Sequence, residues 1–250
     1  MTVPAQPRAP STGGRLVYAV GDIHGYSRQL DDLLKHIADD AAFSAPAERP
    51  LLIFIGDYVD RGPDSRGVID RILALEADDR FEVACLMGNH EDALMRFLVD
   101  PGYAPSWIGN WGAATLRAYG VEPPLLPNDA TCEAAQARFR EVFPAEHRAF
   151  LGRLKVAVTV GDYLFVHAGV RPGVALDAQA ERDLIWIRYE FLESDADFGK
   201  VVVHGHTPAD APELRSNRIN IDTGVYFSGV LSAVRLEGER RRFLQARASA

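Results

Sequence analysis

Short polar clusters that follow apolar runs hold the residues of this chain whose chemistry is most informative. Aspartate, histidine and asparagine recur in these clusters, and their side chains are suitable ligands for Mn, Fe or Zn ions. In α/β sheets, ligand sites form at the carboxyl ends of strands, so clusters of this kind can converge on one point. The candidate metal ligands are Asp22, His24, Asp57, Asn89, His167 and His206.

A shared aspartate divides these candidates into two sets, each able to hold one ion. Two cations about 3.5–4 Å apart can hold a bridging hydroxide and clamp the oxygens of a phosphoryl group during in-line displacement. A covalent nucleophile from the protein is then not required. We expect Asp22, His24 and Asp57 to bind one ion, and Asp57, Asn89, His167 and His206 to bind the other.

Residues close to the candidate ligands could hold a phosphate and move a proton. Arg61 follows the shared aspartate in the same loop and could contact two phosphate oxygens as a bidentate fork. Arg188 is a candidate second arm, although a position on a helix surface would also explain it. His90 is placed to donate a proton to the leaving oxygen, and Asp60 could orient its imidazole and stabilise its charge.

Other conspicuous residues have simpler explanations. We prefer His206 as the ligand and interpret the nearby His204 as a structural residue or as a support for a ligand. Trp107 and Trp111 are four positions apart, which favours a shared helical face packed on the core over a platform that stacks on a ligand. The run of arginines at 240–242 is typical of a solvated edge.

Composition and charge exclude several classes of protein. The 250 residues are 47% hydrophobic and 25% charged, as expected of a globular protein with one substantial core. A net charge of −8 argues against broad nucleic-acid binding, which needs a basic surface. Because no segment approaches the roughly 20 apolar residues that cross a bilayer, we expect no membrane association and a cytoplasmic location. Cys85 and Cys132 are far apart, which argues against a disulfide or a thiolate metal site.

Apolar runs of strand length alternate with helical patterns in the N-terminal half, and this order predicts β-α-β-α-β-α. The second half is rich in strands. Between the halves, residues 101–143 have no strand pattern and are predicted to form a helical cap inserted beside the sheet. We expect one domain at 15–245, with flexible segments at 1–14 and 246–250. The predicted strands are at 16–20, 51–55, 83–87, 156–160, 164–166, 201–203, 219–221 and 230–236.

Five motifs occur in order along the chain, and together they resemble the calcineurin-like metallophosphoesterases. More narrowly, the chain resembles the phosphoprotein phosphatase family of serine/threonine phosphatases in its compact bacterial and phage form. Each motif alone is weak, whereas their conjunction is highly specific. The motifs are G-D-I-H-G at 21–25, G-D-Y-V-D-R-G at 56–62, G-N-H-E at 88–91, H-A-G at 167–169 and G-H-T at 205–207.

This resemblance implies an α/β fold, namely a four-layer αββα sandwich of two mixed β-sheets flanked by helices, with a dinuclear site at one edge. It implies the same six metal ligands as above, the phosphate-binding arginines Arg61 and, less securely, Arg188, and the proton-donating pair Asp60 and His90. The two ions are expected to be Mn, with Fe or Zn as alternatives. The resemblance also implies a catalytic subunit that acts without a regulatory subunit.

The leading hypothesis is a phosphomonoester hydrolase acting on phosphoserine or phosphothreonine in phosphoproteins or phosphopeptides, with phosphotyrosine as a further substrate. A symmetrical diadenosine tetraphosphate hydrolase is the alternative. In that group the position equivalent to Asp60 is usually not aspartate, which favours the protein phosphatase. A more remote alternative is a non-catalytic phosphopeptide-binding scaffold, which the complete set of candidate ligands argues against.

Overall fold

Two five-stranded β-sheets form the centre of the structure, a computed structural model that describes residues 9–247. The first sheet has the strand order β10-β9-β1-β2-β3, and the second has the order β4-β5-β6-β8-β7. The strands are β1 (Leu16–Val20), β2 (Leu51–Phe54), β3 (Glu82–Cys85), β4 (Ala157–Val160), β5 (Tyr163–Val166), β6 (Val201–His204), β7 (Glu213–Leu214), β8 (Arg218–Asn220), β9 (Val230–Glu237) and β10 (Arg240–Arg247).

Both sheets are mixed, and in each the parallel strands lie together. Strands β1, β2 and β3 are parallel, whereas β9 and β10 are antiparallel additions at one side. In the second sheet β5, β6 and β8 are parallel, and β4 and β7 are antiparallel edge strands. This arrangement confirms the predicted fold of two mixed sheets, and in each sheet it directs the carboxyl ends of three parallel strands to the same edge.

The alternating side chains of β1 show why its sequence is continuously apolar. Val17 and Ala19 pack in the interior between the two sheets, together with residues from β5, β6 and β8. Leu16, Tyr18 and Val20 face the helices on the outer side of the sheet. Each fully buried aliphatic side chain stabilises the fold by about 1.5–3 kcal/mol, so a strand covered on both faces needs apolar residues at every position.

Helices cover the outer faces of the sandwich. The helix α1 buries an apolar stripe against the first sheet, as its periodic leucines predict. The helices are α1 (Ser27–Ser44), α2 (Ser65–Glu76), α3 (Asn89–Val99), α4 (Ala104–Trp107), α5 (Ala113–Ala118), α6 (Asp129–Val142), α7 (Ala145–Leu151), α8 (Glu181–Trp186), α9 (Tyr189–Leu192) and α10 (Val225–Ser228), with 3-10 turns at Pro101–Tyr103 and Leu176–Ala178.

The inserted cap at 101–143 is helical except for a loop at 119–128 between α5 and α6 and its last residue, and a π-helix at Ile108–Gly112 joins α4 to α5. The cap packs on α3 through aromatic rings: Trp107 stacks on Phe97 with centroids 4.2 Å apart. A second anchor is the buried His147, which contacts the hydroxyl of Tyr119 at 2.8 Å and the carboxylate of Asp70 at 2.9 Å. The cap is therefore fixed to the sandwich on two sides.

The two ends of the predicted domain need correction. Ser11 and Thr12, expected in a flexible segment, are buried, and the backbone N–H of Ser11 donates to the Asp162 carboxylate at 2.9 Å. At the other end Ala246 and Arg247 pair with β9 as part of β10. Residues 1–8 and 248–250 lie outside the described part of the chain. Within residues 9–247 no helix combines the length and the apolar character needed to span a membrane.

The arginine run at 240–242 agrees with its interpretation as a solvated edge, because it begins β10, an edge strand of the first sheet, and the side chains of Arg240 and Arg242 are exposed. Arg241 donates to the hydroxyl of Tyr163 at 2.9 Å, and Arg242 forms an ion pair with Asp40. Half of the residues of β10 are arginines, so the strand lacks the apolar alternation from which strands are recognised, and its pairing with β9 was not predictable from its own pattern.

Candidate dinuclear metal site

Six polar side chains meet where the two sheets present the carboxyl ends of their parallel strands. Each one comes within a few residues of the end of a strand, so the sheet brings together positions that are up to 184 residues apart in sequence. All six are at least nine-tenths buried. They are the predicted ligands Asp22 and His24 after β1, Asp57 after β2, Asn89 after β3, His167 after β5 and His206 after β6.

Asp57 lies at the centre of the cluster. Its Oδ2 atom is 3.5 Å from Nε2 of His24, and its Oδ1 atom is 3.4 Å from Nε2 of His167. One carboxylate therefore faces histidines that follow strands of different sheets. This is the position that an aspartate bridging two cations requires.

A second group of contacts centres on the amide oxygen of Asn89. It lies 2.9 Å from Nε2 of His167 and 2.7 Å from Nδ1 of His206, and these two nitrogens are 3.2 Å apart. The three atoms thus converge on one point, as the sequence predicts for the second ion. Asp22 also reaches this group, because its Oδ2 atom accepts a hydrogen bond of 3.1 Å from the backbone N–H of His206.

Backbone carbonyls orient two of the histidines. Nδ1 of His24 is 3.0 Å from the carbonyl oxygen of Val59, and Nδ1 of His167 is 3.0 Å from that of Ile55. A carbonyl can only accept, so Nδ1 of each ring carries the proton and Nε2 presents a lone pair to the cluster. Burial lowers the pKa of His24 to about 3 and also lowers the pKa of His167. Both rings are neutral at pH 7, the form in which imidazole binds a metal.

Two polar atoms of the cluster support the fit to metal ions. Among the described residues, Oδ1 of Asp22 and Nε2 of His206 are buried and have no hydrogen-bond partner. Leaving such atoms unsatisfied costs free energy, and native proteins rarely do so. Because the donor set is two carboxylates, one amide oxygen and three neutral imidazoles, cations such as Mn, Fe or Zn would satisfy it.

The loops that carry these residues are conformationally unusual. Among non-glycine residues of the described chain, positive φ angles occur at His24 (48°), Asp57 (52°), Asp60 (71°), Arg61 (66°) and His206 (65°), and besides these only in one residue after α1. Such backbone geometry costs about 1–3 kcal/mol per residue and clusters at functional sites.

Glu91 is a site residue that the sequence analysis did not single out. Its buried carboxylate accepts backbone N–H groups of Asp57 (2.8 Å), Tyr58 (2.7 Å), Val59 (3.2 Å) and Gly88 (3.1 Å). It therefore fixes the loop after β2 against the loop after β3. The signal was present in the G-N-H-E motif, whose glutamate lies at the third position of α3, where capping by a carboxylate is common.

The backbones of the loops after β2 and β3 lie very close to each other. Gly56 has a φ of 107°, and a Cβ atom there would lie 2.6 Å from the backbone nitrogen of Gly88. Any larger residue at this position would push Asp57 away from Asn89. The first glycine of the second motif is thus explained by packing between the loops that carry Asp57 and Asn89.

Arg61 and Arg188 line the same small cavity of about 90 Å³ above the cluster. Arg188 lies between α8 and α9, so the structure places it at the site and away from a plain helix surface. Two residues that the sequence analysis missed also line this cavity: Asp222, in the loop after β8, and Tyr226, in α10. The cavity combines two guanidinium groups with the metal-type cluster, which suits a phosphoryl group.

His90 and Asp60 form a buried pair at the edge of this cavity. Nδ1 of His90 is 2.7 Å from Oδ2 of Asp60, and its other nitrogen, Nε2, is 3.9 Å from Asp57. Burial lowers the pKa of His90, but the charges of Asp57 and Asp60 outweigh burial and raise it above its ordinary value. A protonated imidazole held in this way can donate a proton towards the cavity.

His204 lies apart from the cluster, although it is only two residues from His206. Its Nδ1 atom is 3.1 Å from the carbonyl oxygen of Gly205, and Nε2 is 3.4 Å from the guanidinium of Arg218. Burial lowers the pKa of His204 to about 3. Of the two histidines, only His206 has a side chain in contact with other candidate ligands.

The two cap tryptophans contact the site from outside the cluster. Trp107 is fully buried, as predicted for core packing, and its indole N–H also donates to Asp60 at 3.2 Å. The ring of Trp111 is 5.2 Å from the ring of His90 and 6.4 Å from that of Trp186. The core interpretation was thus incomplete, because both tryptophans also touch the Asp60 and His90 pair.

Comparisons with known proteins agree with this geometry. The family described as calcineurin-like phosphoesterase matches residues 16–229. The asymmetrical bis(5'-nucleosyl)-tetraphosphatase PrpE of Anoxybacillus flavithermus is 27% identical over 234 residues, covering 86% of this chain and 88% of that protein.

Solved structures show the same fold. One that is provisionally assigned as a diadenosine tetraphosphatase has a TM-score of 0.62 at 20% identity, covering 97% of this chain and 100% of that one. The cold-active protein-tyrosine phosphatase of a psychrophilic Shewanella species has a TM-score of 0.57 at 19% identity, covering 93% and 81%. At these identities the likeness concerns the fold alone.

Proposed function

Because this chain belongs to the calcineurin-like phosphoesterase family over residues 16–229, we propose that its dinuclear metal site hydrolyses phosphomonoesters of alcohols, with phosphoserine and phosphothreonine in proteins as substrates. The observation that carries this proposal is the buried pair of His90 and Asp60, 2.7 Å apart beside the cavity. Phosphotyrosine is a further substrate that the same site would accept.

The need for a proton donor depends on the leaving group. The alkoxide of serine or threonine is a strong base and leaves only when it receives a proton. A nucleotide that leaves from a phosphoanhydride is a weak base and is stable as an anion. A positioned general acid typically contributes about 10²–10⁴-fold to the rate, so the pair of His90 and Asp60 is of most use with an alcohol leaving group.

Different residues of the site have different roles in the proposed reaction. When bound, the two ions would supply a hydroxide for attack on phosphorus and neutralise charge on the phosphate oxygens. Arg61 and Arg188 hold the phosphate oxygens from the cavity wall. His90 gives its Nε2 proton to the leaving oxygen as the P–O bond breaks, and Asp60 stabilises the charged imidazole before the transfer. Mn is the proposed metal, with Fe or Zn as alternatives.

A second candidate function is the asymmetrical hydrolysis of dinucleoside tetraphosphates. It is favoured by the relative from Anoxybacillus flavithermus, which is named for this activity and whose similarity extends over 86% of the chain. A matching enzyme from Geobacillus thermodenitrificans is 28% identical over 235 residues. The symmetrical cleavage considered from the sequence lacks comparable support.

One steady-state comparison separates the candidates. Purified protein with Mn²⁺ is assayed on phosphoserine, phosphothreonine and phosphotyrosine peptides and on diadenosine tetraphosphate, with metal content measured on the same preparation. We expect the highest kcat/KM on a phosphoserine or phosphothreonine peptide. A higher kcat/KM on diadenosine tetraphosphate, with ATP and AMP as products, would favour the second candidate.

The control for contaminating phosphatases is Asp57→Asn prepared in the same way, which removes the central carboxylate and is expected to be inactive. If the wild-type protein turns over none of these substrates, nor p-nitrophenyl phosphate, with any of Mn²⁺, Fe²⁺ or Zn²⁺, the catalytic proposal is wrong. Binding of phosphopeptide without turnover would instead support the scaffold alternative.

A further inference from the structure

We propose that the cap positions the proton donor: Trp107 and Thr115 hold the carboxylate of Asp60 so that His90 faces the leaving group. This inference rests on the proposed role of His90 as general acid. It adds two positioning residues that lie outside the motifs of the site and come from a part of the chain with no candidate ligand.

The hydrogen bonds of Asp60 carry the argument. Its side chain is fully buried, and each oxygen has a donor from the cap: Thr115 Oγ1 donates to Oδ1 at 2.6 Å, and Trp107 Nε1 donates to Oδ2 at 3.2 Å. Oδ2 also receives Nδ1 of His90. A carboxylate can rotate about its last bond, and donors on both oxygens remove that freedom.

Thr115 also holds the backbone of Asp60. Its N–H donates to Oγ1 of Thr115 at 2.9 Å and to Oγ of Ser65 at 3.1 Å. Asp60 has a φ of 71°, a conformation that a non-glycine residue keeps only when its surroundings impose it. Thr115 therefore contacts both the main chain and the side chain of the residue that orients His90.

Trp107 is itself locked in place. Its ring stacks on Phe97, and a side chain at Gly112 would collide with the ring from the other side. The N–H is the only polar atom of this fully buried ring, and burying it without a partner would be costly. The π-helix at Ile108–Gly112 joins the helix that ends in Trp107 to the helix that carries Thr115, and π-helical turns are frequent at functional sites.

Leaving-group dependence tests the inference, because a misplaced proton donor matters only when the leaving group needs a proton. We measure kcat on phenyl phosphate and on p-nitrophenyl phosphate for Trp107→Phe and Thr115→Val. Thr115→Val keeps the shape of the side chain and removes its hydroxyl, and Trp107→Phe keeps an aromatic ring and removes the indole N–H. We expect kcat on phenyl phosphate to fall about 10- to 100-fold, with less than about a 3-fold fall on p-nitrophenyl phosphate. Thr115→Ser restores the hydroxyl and is expected to restore most of the lost rate.

Phe139→Leu is the matched control, since this residue packs in the cap beside Trp107 with no atom on Asp60. It should lower the melting temperature without changing the ratio of the two rates. If the ratio of kcat on phenyl phosphate to kcat on p-nitrophenyl phosphate is the same in both variants as in the wild type, the inference is wrong. If one variant does not fold, the other and the serine rescue decide the matter. Absence of turnover in the wild type would refute the proposed function instead.

Discussion

Arg61 lies over the ring of Tyr226, with its guanidinium carbon 4.3 Å from the ring centroid. The same ring forms a T-shaped pair with the imidazole of His24, with ring centroids 5.4 Å apart, so one aromatic side chain contacts both a candidate metal ligand and a candidate phosphate ligand. A cation over an aromatic face is stabilised by about 0.5–2 kcal/mol, depending on how much water is excluded. Tyr226 thus favours the one orientation in which Arg61 lines the cavity.

The first prediction follows from this contact. Tyr226→Leu should lower kcat/KM by about 3- to 30-fold, the equivalent of the cation–π free energy. Tyr226→Phe keeps the ring and should lie close to wild type, whereas Arg61→Ala should lose more than either. Phe227→Leu, an exposed neighbour at 62% exposure, is the control. An equal loss in the leucine and phenylalanine variants of Tyr226 would show that its hydroxyl, and not its ring, is what counts.

Metal content distinguishes the two histidines after β6. His206→Ala removes a nitrogen that faces Asn89 at 2.7 Å, and we expect the purified protein to lose about one metal equivalent per chain. His204→Ala removes a ring whose polar contacts are with Gly205 and Arg218, so metal content should stay near that of wild type. Inductively coupled plasma mass spectrometry on dialysed protein gives the answer. Loss of metal in the His204 variant alone would reverse our assignment.

The candidate ligands could be picked out from the sequence because each one is a local signal. An apolar run followed by glycine and a carboxylate or imidazole marks the end of a buried strand, and strand ends meet by the geometry of the sheet alone. Asp22 and His206 are 184 residues apart, yet both were found without knowing that they touch. The alternation of apolar runs likewise predicted eight of the strands, although not which sheet each one joins.

The residues that were missed depend on contacts with no local signal. Asp222 and Tyr226 follow a short strand in a segment without a recognised motif, and only the pairing of β8 beside β6 brings them to the cavity. Thr115 reaches Asp60 across 55 positions, through a cap whose docking no periodicity describes. Spacing reports which face of an element a side chain occupies, but it does not report what that face touches.

Glu91 is expected to contribute strongly to the stability of the folded protein. Glu91→Gln replaces a carboxyl group, whose two oxygens together accept four backbone bonds, with an amide whose NH₂ group must face backbone N–H donors. At least one of the four backbone bonds to Asp57, Tyr58, Val59 and Gly88 should then be lost. Since a buried unsatisfied group costs about 1–3 kcal/mol, we expect the free energy of unfolding to fall by at least that amount. Urea unfolding measures it, and an unchanged midpoint would mean that the loop is held by other contacts.

The free energy of unfolding of the metal-free protein should fall as pH rises, because of two buried carboxyl groups. Burial, together with the charge of Asp57, raises the pKa of Glu91 to about 8, and burial raises the pKa of Asp222 to about 7. Both values lie above those of the unfolded chain, which are about 4. The folded state therefore binds protons more tightly, and its stability is lost as pH rises from the unfolded pKa through the folded pKa.

The best window for this test is pH 7 to 8.5, where histidines of the unfolded chain are already mostly neutral. Burial lowers the pKa of His24 and His206, so below pH 7 these rings would oppose the trend. Chelated protein should lose on the order of 1 kcal/mol across the window, a fall of a few degrees in melting temperature. Protein saturated with Mn²⁺ should show little change, because bound cations stabilise the ionised carboxylates. A melting temperature that does not change with pH in either form would mean that these carboxylates are already ionised without metal. If the explanation is correct, Glu91→Gln should reduce the pH dependence of the chelated protein.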